Sequence, residues 1–114
     1  MFIRDLYEAV NAIAPCSQPK FIAFLDTTAH SLMAKYGAKR VVNDGAYIKP
    51  ININDDIPLK DEFRNAIVSN VLYLVTGNPD HKTDYVAEAE YAYKTVWRRS
   101  AKKLKIVGED YYHV

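Results

Sequence analysis

The chain has 114 residues, about half of them hydrophobic and a quarter charged, with a formal net charge of +1. That length suits one domain rather than two, the charge excludes a polycation or an acidic mimic, and the single cysteine, Cys16, excludes an internal disulfide. No run approaches the about 18–20 apolar residues of a membrane span, and Met1–Leu6 carries an early acid and no apolar signal core, so the expectation is a soluble, unexported protein.

In the first segment, Phe2, Leu6, Ala9, Val10 and Ile13 recur at steps of three and four, which predicts an amphipathic helix over 2–14 that Pro15 stops. Ser17 is placed to cap a second helix with Pro19 in its first turn. Phe21, Ile22, Leu25, Ala29, Leu32, Met33 and Tyr36 keep the same spacing up to Gly37, a C-terminal stop. Residues 39–48 read differently: Asn43-Asp44-Gly45 between short β-prone runs predicts a hairpin or an irregular loop. Pro50 and the polar stretch Asn52–Asp56 argue against any long regular element there.

Pro58 opens a third predicted helix, with Asp61 and Glu62 in its early turns where acids complement the helix dipole. It runs through Phe63, Ala66, Ile67, Val71, Leu74 and Val75 to Gly77. Residues 66–75 are apolar on nearly every side, as in a central helix or one wedged against a neighbouring subunit. A buried strand over 71–75 competes, and the length of the run favours helix. After the break at Gly77-Asn78-Pro79, a fourth helix starts at Asp80 or Thr83 and runs to about Lys103. Its inward face is Tyr85, Ala89, Ala92 and Val96, widened by Tyr93, Trp97 and Ala101. The fold expected is therefore mainly α: a small bundle of about four helices over 1–105, with a short hairpin or loop insertion between the second and third. Residues 106–114 form a tail too poor in apolar residues to fold alone.

Motifs that carry chemistry are sparse. Gly37, Gly45, Gly77 and Gly108 are too scattered for a phosphate-cradling loop. His81 and Asp84, one helical turn apart beside Asp80, have the spacing of two metal ligands, but acids there also suit a helix start. Asp55-Asp56 lacks the glycine-punctuated frame of a calcium loop. Cys16 in a helix–helix connection reads as structural. Glu88 and Glu90, two apart, diverge on a helix and read as solvated charges rather than a carboxylate pair. These patterns predict no catalytic residue, no metal and no cofactor, hence no enzyme. Nine tyrosines against four phenylalanines and one tryptophan suit half-buried surfaces and interfaces. The strongest charge feature is Arg98-Arg99-Ser100-Ala101-Lys102-Lys103-Leu104-Lys105, which suits a helix C-terminus or a surface facing something anionic.

The order Asp56-Ile57-Pro58-Leu59-Lys60-Asp61-Glu62-Phe63, an apolar helix ending Leu72-Tyr73-Leu74, a short break, and a long helix with Tyr85, Glu88-Ala89-Glu90-Tyr91 and Trp97 resembles the small head–tail connector (adaptor) proteins of tailed bacteriophages and prophages. The resemblance covers about the last two thirds of the chain and rests on patterns of residue type. It implies a structural virion protein at the head–tail interface, made in the host cytoplasm. Copies would form a ring, usually twelve-fold, beneath the portal, extending the DNA channel and docking a tail or stopper protein. Contact with DNA would be non-specific, and no membrane is involved. The resemblance makes Asp55, Asp56, Asp61 and Glu62 at one helix start, and Arg98, Arg99, Lys102 and Lys103 at another helix end, candidates for contacts between ring neighbours. Tyr111 and Tyr112 become candidate portal anchors. The alternative is a small DNA-binding regulator that sets the basic end of the last helix against phosphate.

Overall fold

The computed structural model describes residues 1–43 and 46–112, with side chains through Arg99. Among these residues the regular structure is helical: α1 (Ile3–Asn11), α2 (Gln18–Tyr36), α3 (Ala38–Val41), α4 (Arg64–Thr76) and α5 (Pro79–Tyr112), with a 3-10 turn at Asp61–Phe63 leading into α4. No strand forms among the described residues; two isolated antiparallel bridges, Phe2 with Asp56 and Val42 with Leu59, are the only β pairing.

α1 exists as predicted, but its phase is shifted. Ile3, Leu6 and Val10 are buried, whereas Phe2 and Ile13 are each 65% exposed. The helix carries two apolar stripes, and the core takes the one that does not include Phe2. α2 follows with Ser17 at its N-cap, although the serine hydroxyl makes no capping bond, and Pro19 in the first turn. Phe21, Leu25, Ala29 and Leu32 are buried as the spacing predicted. Gly37 ends the helix at φ 87°, a backbone region that glycine occupies without steric cost, and its N–H donates to the Met33 carbonyl at 2.8 Å.

Of the hairpin or loop expected over 39–48, the hairpin is not seen among the described residues. Residues 38–41 make the short α3 instead, and the chain beyond it pairs with a distant segment: Asn43 N–H donates to Pro58 O at 2.9 Å and Lys60 N–H to Val41 O at 2.8 Å. The physical reason is burial. Val41, Val42, Ile57 and Leu59 all enter the core, so the chain at the end of α3 and just beyond it satisfies its polar groups against 58–60 rather than against a return strand. Asp44 and Gly45, the centre of the expected turn, lie outside the described residues. Beyond them Tyr47 ties the loop to α2, its hydroxyl donating to Asp26 Oδ1 at 2.6 Å, with the His30 ring edge-on at 5.3 Å.

The same pairing delays the third predicted helix. Residues 57–60 are non-helical, and helix begins with the 3-10 turn that holds Asp61 and Glu62 rather than at Pro58. From Arg64 on, α4 is the central helix that its all-round apolar pattern predicted, packed against α5, α2 and α1. It buries Ala66, Ile67, Val71 and Leu72, together with Ser69 and Asn70. Asn70 Nδ2 donates to Thr28 Oγ1 at 2.7 Å, and that hydroxyl donates to Phe24 O at 2.8 Å, so the one polar link between α2 and α4 in the core is satisfied. Gly77 closes α4 in the left-handed conformation, φ 72° and ψ 5°, with its N–H on Tyr73 O at 2.7 Å.

α5 starts earlier and ends later than expected. The Asn78 side chain accepts the Asp80 N–H at 3.0 Å, a cap that lets the helix begin at Pro79. Ala89, Ala92 and Val96 are buried against α4 and the 3-10 turn, with Tyr85 partly buried and bonded to Ser31 of α2 at 3.0 Å. The helix continues through residues 106–112, which the composition set apart as a tail; no proline follows Pro79, and a lone Gly108 costs a helix only about 1 kcal/mol. Its 34 residues span about 51 Å, close to the 58 Å longest dimension of the molecule. No helix of the described residues is long and apolar enough to cross a membrane.

Candidate interaction surface

Two sets of charges were expected to meet across subunits: the acids at 55, 56, 61 and 62 and the bases from Arg98 onward. The structure brings one pair of them together inside the same chain. Glu62, in the 3-10 turn, accepts from Arg99 Nη1 at 3.0 Å, closing the turn against α5. Asp56 lies 2.8 Å from the Met1 ammonium, and Asp55 is turned inward on its own loop, its Oδ2 accepting the Asn52 N–H at 3.0 Å. Asp61 and Arg98 are exposed, and neither is in an ion pair among the described residues. Lys102, Lys103, Tyr111 and Tyr112 fall on the continuation of α5, where side chains are not described.

Because the Glu62–Arg99 pair sits at the surface, its stabilisation is small. Glu62→Gln is expected to cost less than about 1 kcal/mol in urea unfolding, and the difference should vanish in about 1 M salt. A loss that persists at high salt would mean the pair is not screened.

One group of aromatic rings lies near this contact. Tyr36, at the end of α2, lies 4.8 Å from Tyr93 in a stacked arrangement and 6.1 Å from Phe63. Tyr93 and Trp97, one turn apart on α5, line a cleft of about 260 Å³ with Lys94 and Arg98. Trp97 was expected to pack inward and is instead 50% exposed. Position 97 lies on the flank of the buried Ala89–Ala92–Val96 stripe, so its indole edges the core rather than entering it.

Glu88, read from the sequence as a solvated charge, is partly buried beside Ser69, Asp84 and His81 in a shallow cleft of about 280 Å³ between α4 and α5. Its Oε2 is buried without a hydrogen-bond partner among the described residues. Burial first, then repulsion from Asp84, raise its carboxyl above the ordinary 4.5, with Ser69 hydrogen bonding pulling the other way. The folded chain therefore holds this proton more tightly than the unfolded chain. The stability this gives is full below 4.5 and is lost as pH rises through the higher folded-state value. Glu88→Gln should raise the urea midpoint near pH 7 and leave it unchanged well below 4.5. A lowered midpoint at neutral pH would reverse the sign of this account. No group of three or more His, Cys, Asp or Glu side chains among the described residues is arranged to hold a metal ion.

Compared with known proteins, the chain matches no family model, no curated protein and no solved structure. It offers surfaces: an aromatic cleft rimmed by cations at one end of α5, and apolar side chains left outside the core on α1.

Two features escaped the sequence reading. Lys94 shares a helix face with Arg98 at a spacing of four, visible once α5 is placed on a wheel. The outward stripe of α1 was merged with the inward one because both repeat at helical spacing.

Proposed function

We propose that this chain is a structural subunit of the head–tail connector ring of a tailed bacteriophage or prophage, joining portal to tail and extending the DNA channel. The observation that supports the reading is the arrangement of residues 57–99. Ile57 and Leu59 are buried in a non-helical entry, the turn at Asp61–Phe63 launches a central helix, and Glu62 ties that turn to a long helix beyond the Gly77 break. The resemblance has the Ile57-Pro58-Leu59 entry open a helix directly, whereas here helix begins at Asp61; the buried helix followed by a long tyrosine-bearing helix is the part of the order that supports the reading. The long helix also carries half-exposed rings beside cations, a composition suited to protein contact. Arg99 is held by Glu62, which removes one cation from the surface a DNA-binding regulator would use.

Mass photometry of the purified chain, alone and mixed with the portal protein encoded in the same genome, tests this reading. A discrete ring-sized oligomer, or one that forms only on the portal, is expected. A species that stays small with the portal and binds duplex DNA with a steep salt dependence would replace this reading with the regulator.

A further inference from the structure

The outward stripe of α1 and the cleft of α5 are complementary. Phe2 just before α1, Ala9 within it and Ile13 just after it fall on one side, with Phe2 and Ile13 each 65% exposed and Ile13 bordering the α4–α5 cleft; Asp5, exposed, flanks this side, and Glu8, exposed, lies further round the helix. Arg4, one helical turn before Glu8, is exposed and donates to Asn54 Oδ1, so Arg4, Asp5 and Glu8 together leave this flank with a single net negative charge. On α5, Tyr93 and Trp97 are bordered by Lys94 and Arg98, both exposed, and no carboxylate of the described residues lies within 4.0 Å of either cation. Glu90, one turn before Lys94, leaves that face with a net positive charge. The spacings match as well: residues three or four apart on a helix stand about 5–6 Å from each other, so Asp5 with Glu8 and Lys94 with Arg98 present two charges at nearly the same separation.

These faces do not meet within one chain. α1 packs on α4, while α5 packs on α4, the 3-10 turn and α3. We propose that the α1 stripe of one copy receives the α5 cleft of a second copy, with Trp97 set against Phe2 or Ile13 and Lys94 and Arg98 opposite Asp5 and Glu8. Opposite charge rims around apolar centres favour this pairing and disfavour α1 on α1 or α5 on α5. The contact joins two different surfaces, so each copy keeps one of each free and association continues until rotation closes it. This inference rests on the ring reading and names its seam.

Charge reversal tests it, scored by mass photometry under the condition in which the unaltered chain assembles, with circular dichroism to check that each variant remains helical. Asp5→Lys with Glu8→Lys, and separately Lys94→Glu with Arg98→Glu, should each weaken association by roughly a hundredfold or more. Mixing the two variants should restore assembly, because each then offers the face the other lacks. The quadruple reversal should restore it in a single chain. If the variants assemble like the unaltered chain, or if neither the mixture nor the quadruple reversal recovers, the seam is wrong while the ring reading stands. If the unaltered chain forms no oligomer alone or on the portal, both are wrong.

Discussion

Replacing Phe63 with alanine will destabilise the protein by about 3–5 kcal/mol, the range for deleting a fully buried aromatic ring. Phe63 is fully buried at the point where the 3-10 turn becomes α4. Its ring lies 6.1 Å from Tyr36, which stacks on Tyr93, so one aromatic series joins the turn, α2 and α5. Truncation removes apolar burial and leaves a void whose walls are separate elements, each held by further contacts. Little collapse is available, which places the cost toward the upper part of the range. Urea unfolding followed by circular dichroism will measure it; a loss below about 1 kcal/mol would mean that the site repacks freely.

The second large effect is asymmetric. Thr28→Val should cost about 1–3 kcal/mol, because Asn70 Nδ2 then has no partner in a buried site. Asn70→Leu should cost less, since the Thr28 hydroxyl still donates to Phe24 O. The double variant Thr28→Val with Asn70→Leu should be more stable than Thr28→Val alone, because no orphaned donor remains. Additive losses in a double-mutant cycle would show that the hydrogen bond between α2 and α4 does not couple them.

Local signals in the sequence carried the helices and their punctuation. The spacing of Phe21, Leu25, Ala29 and Leu32 gave α2 its face, and Gly37 and Gly77 marked stops that the structure puts at positive φ. The all-round apolar character of 66–75 correctly indicated a helix covered on several sides. What periodicity could not decide was phase where two apolar stripes compete, as on α1, where Ile3 displaces Phe2 from the core. Pairing between distant segments was equally invisible. The bridge between Val42 and Leu59 replaced the expected hairpin, and Glu62 and Arg99, separated by 37 residues, meet without any local cue. Asp56, Glu62 and Arg99 stood out as charged types, but the partners they meet within the chain did not. The cleft around Trp97 was missed because the indole was assigned to packing.

The small side chains of Ala89 and Ala92 at the seat of α5 have a mechanical consequence. From Ala92 to Tyr112 the helix extends about 30 Å, so a tilt of about 10° at the seat would carry its far end by about 5 Å, estimated from the same helical rise. Subtle adjustments where two rods touch would thus be amplified into a displacement as wide as a side chain. A bulkier residue at position 92 would work as a shim, redirecting the rod while altering none of the groups at its tip.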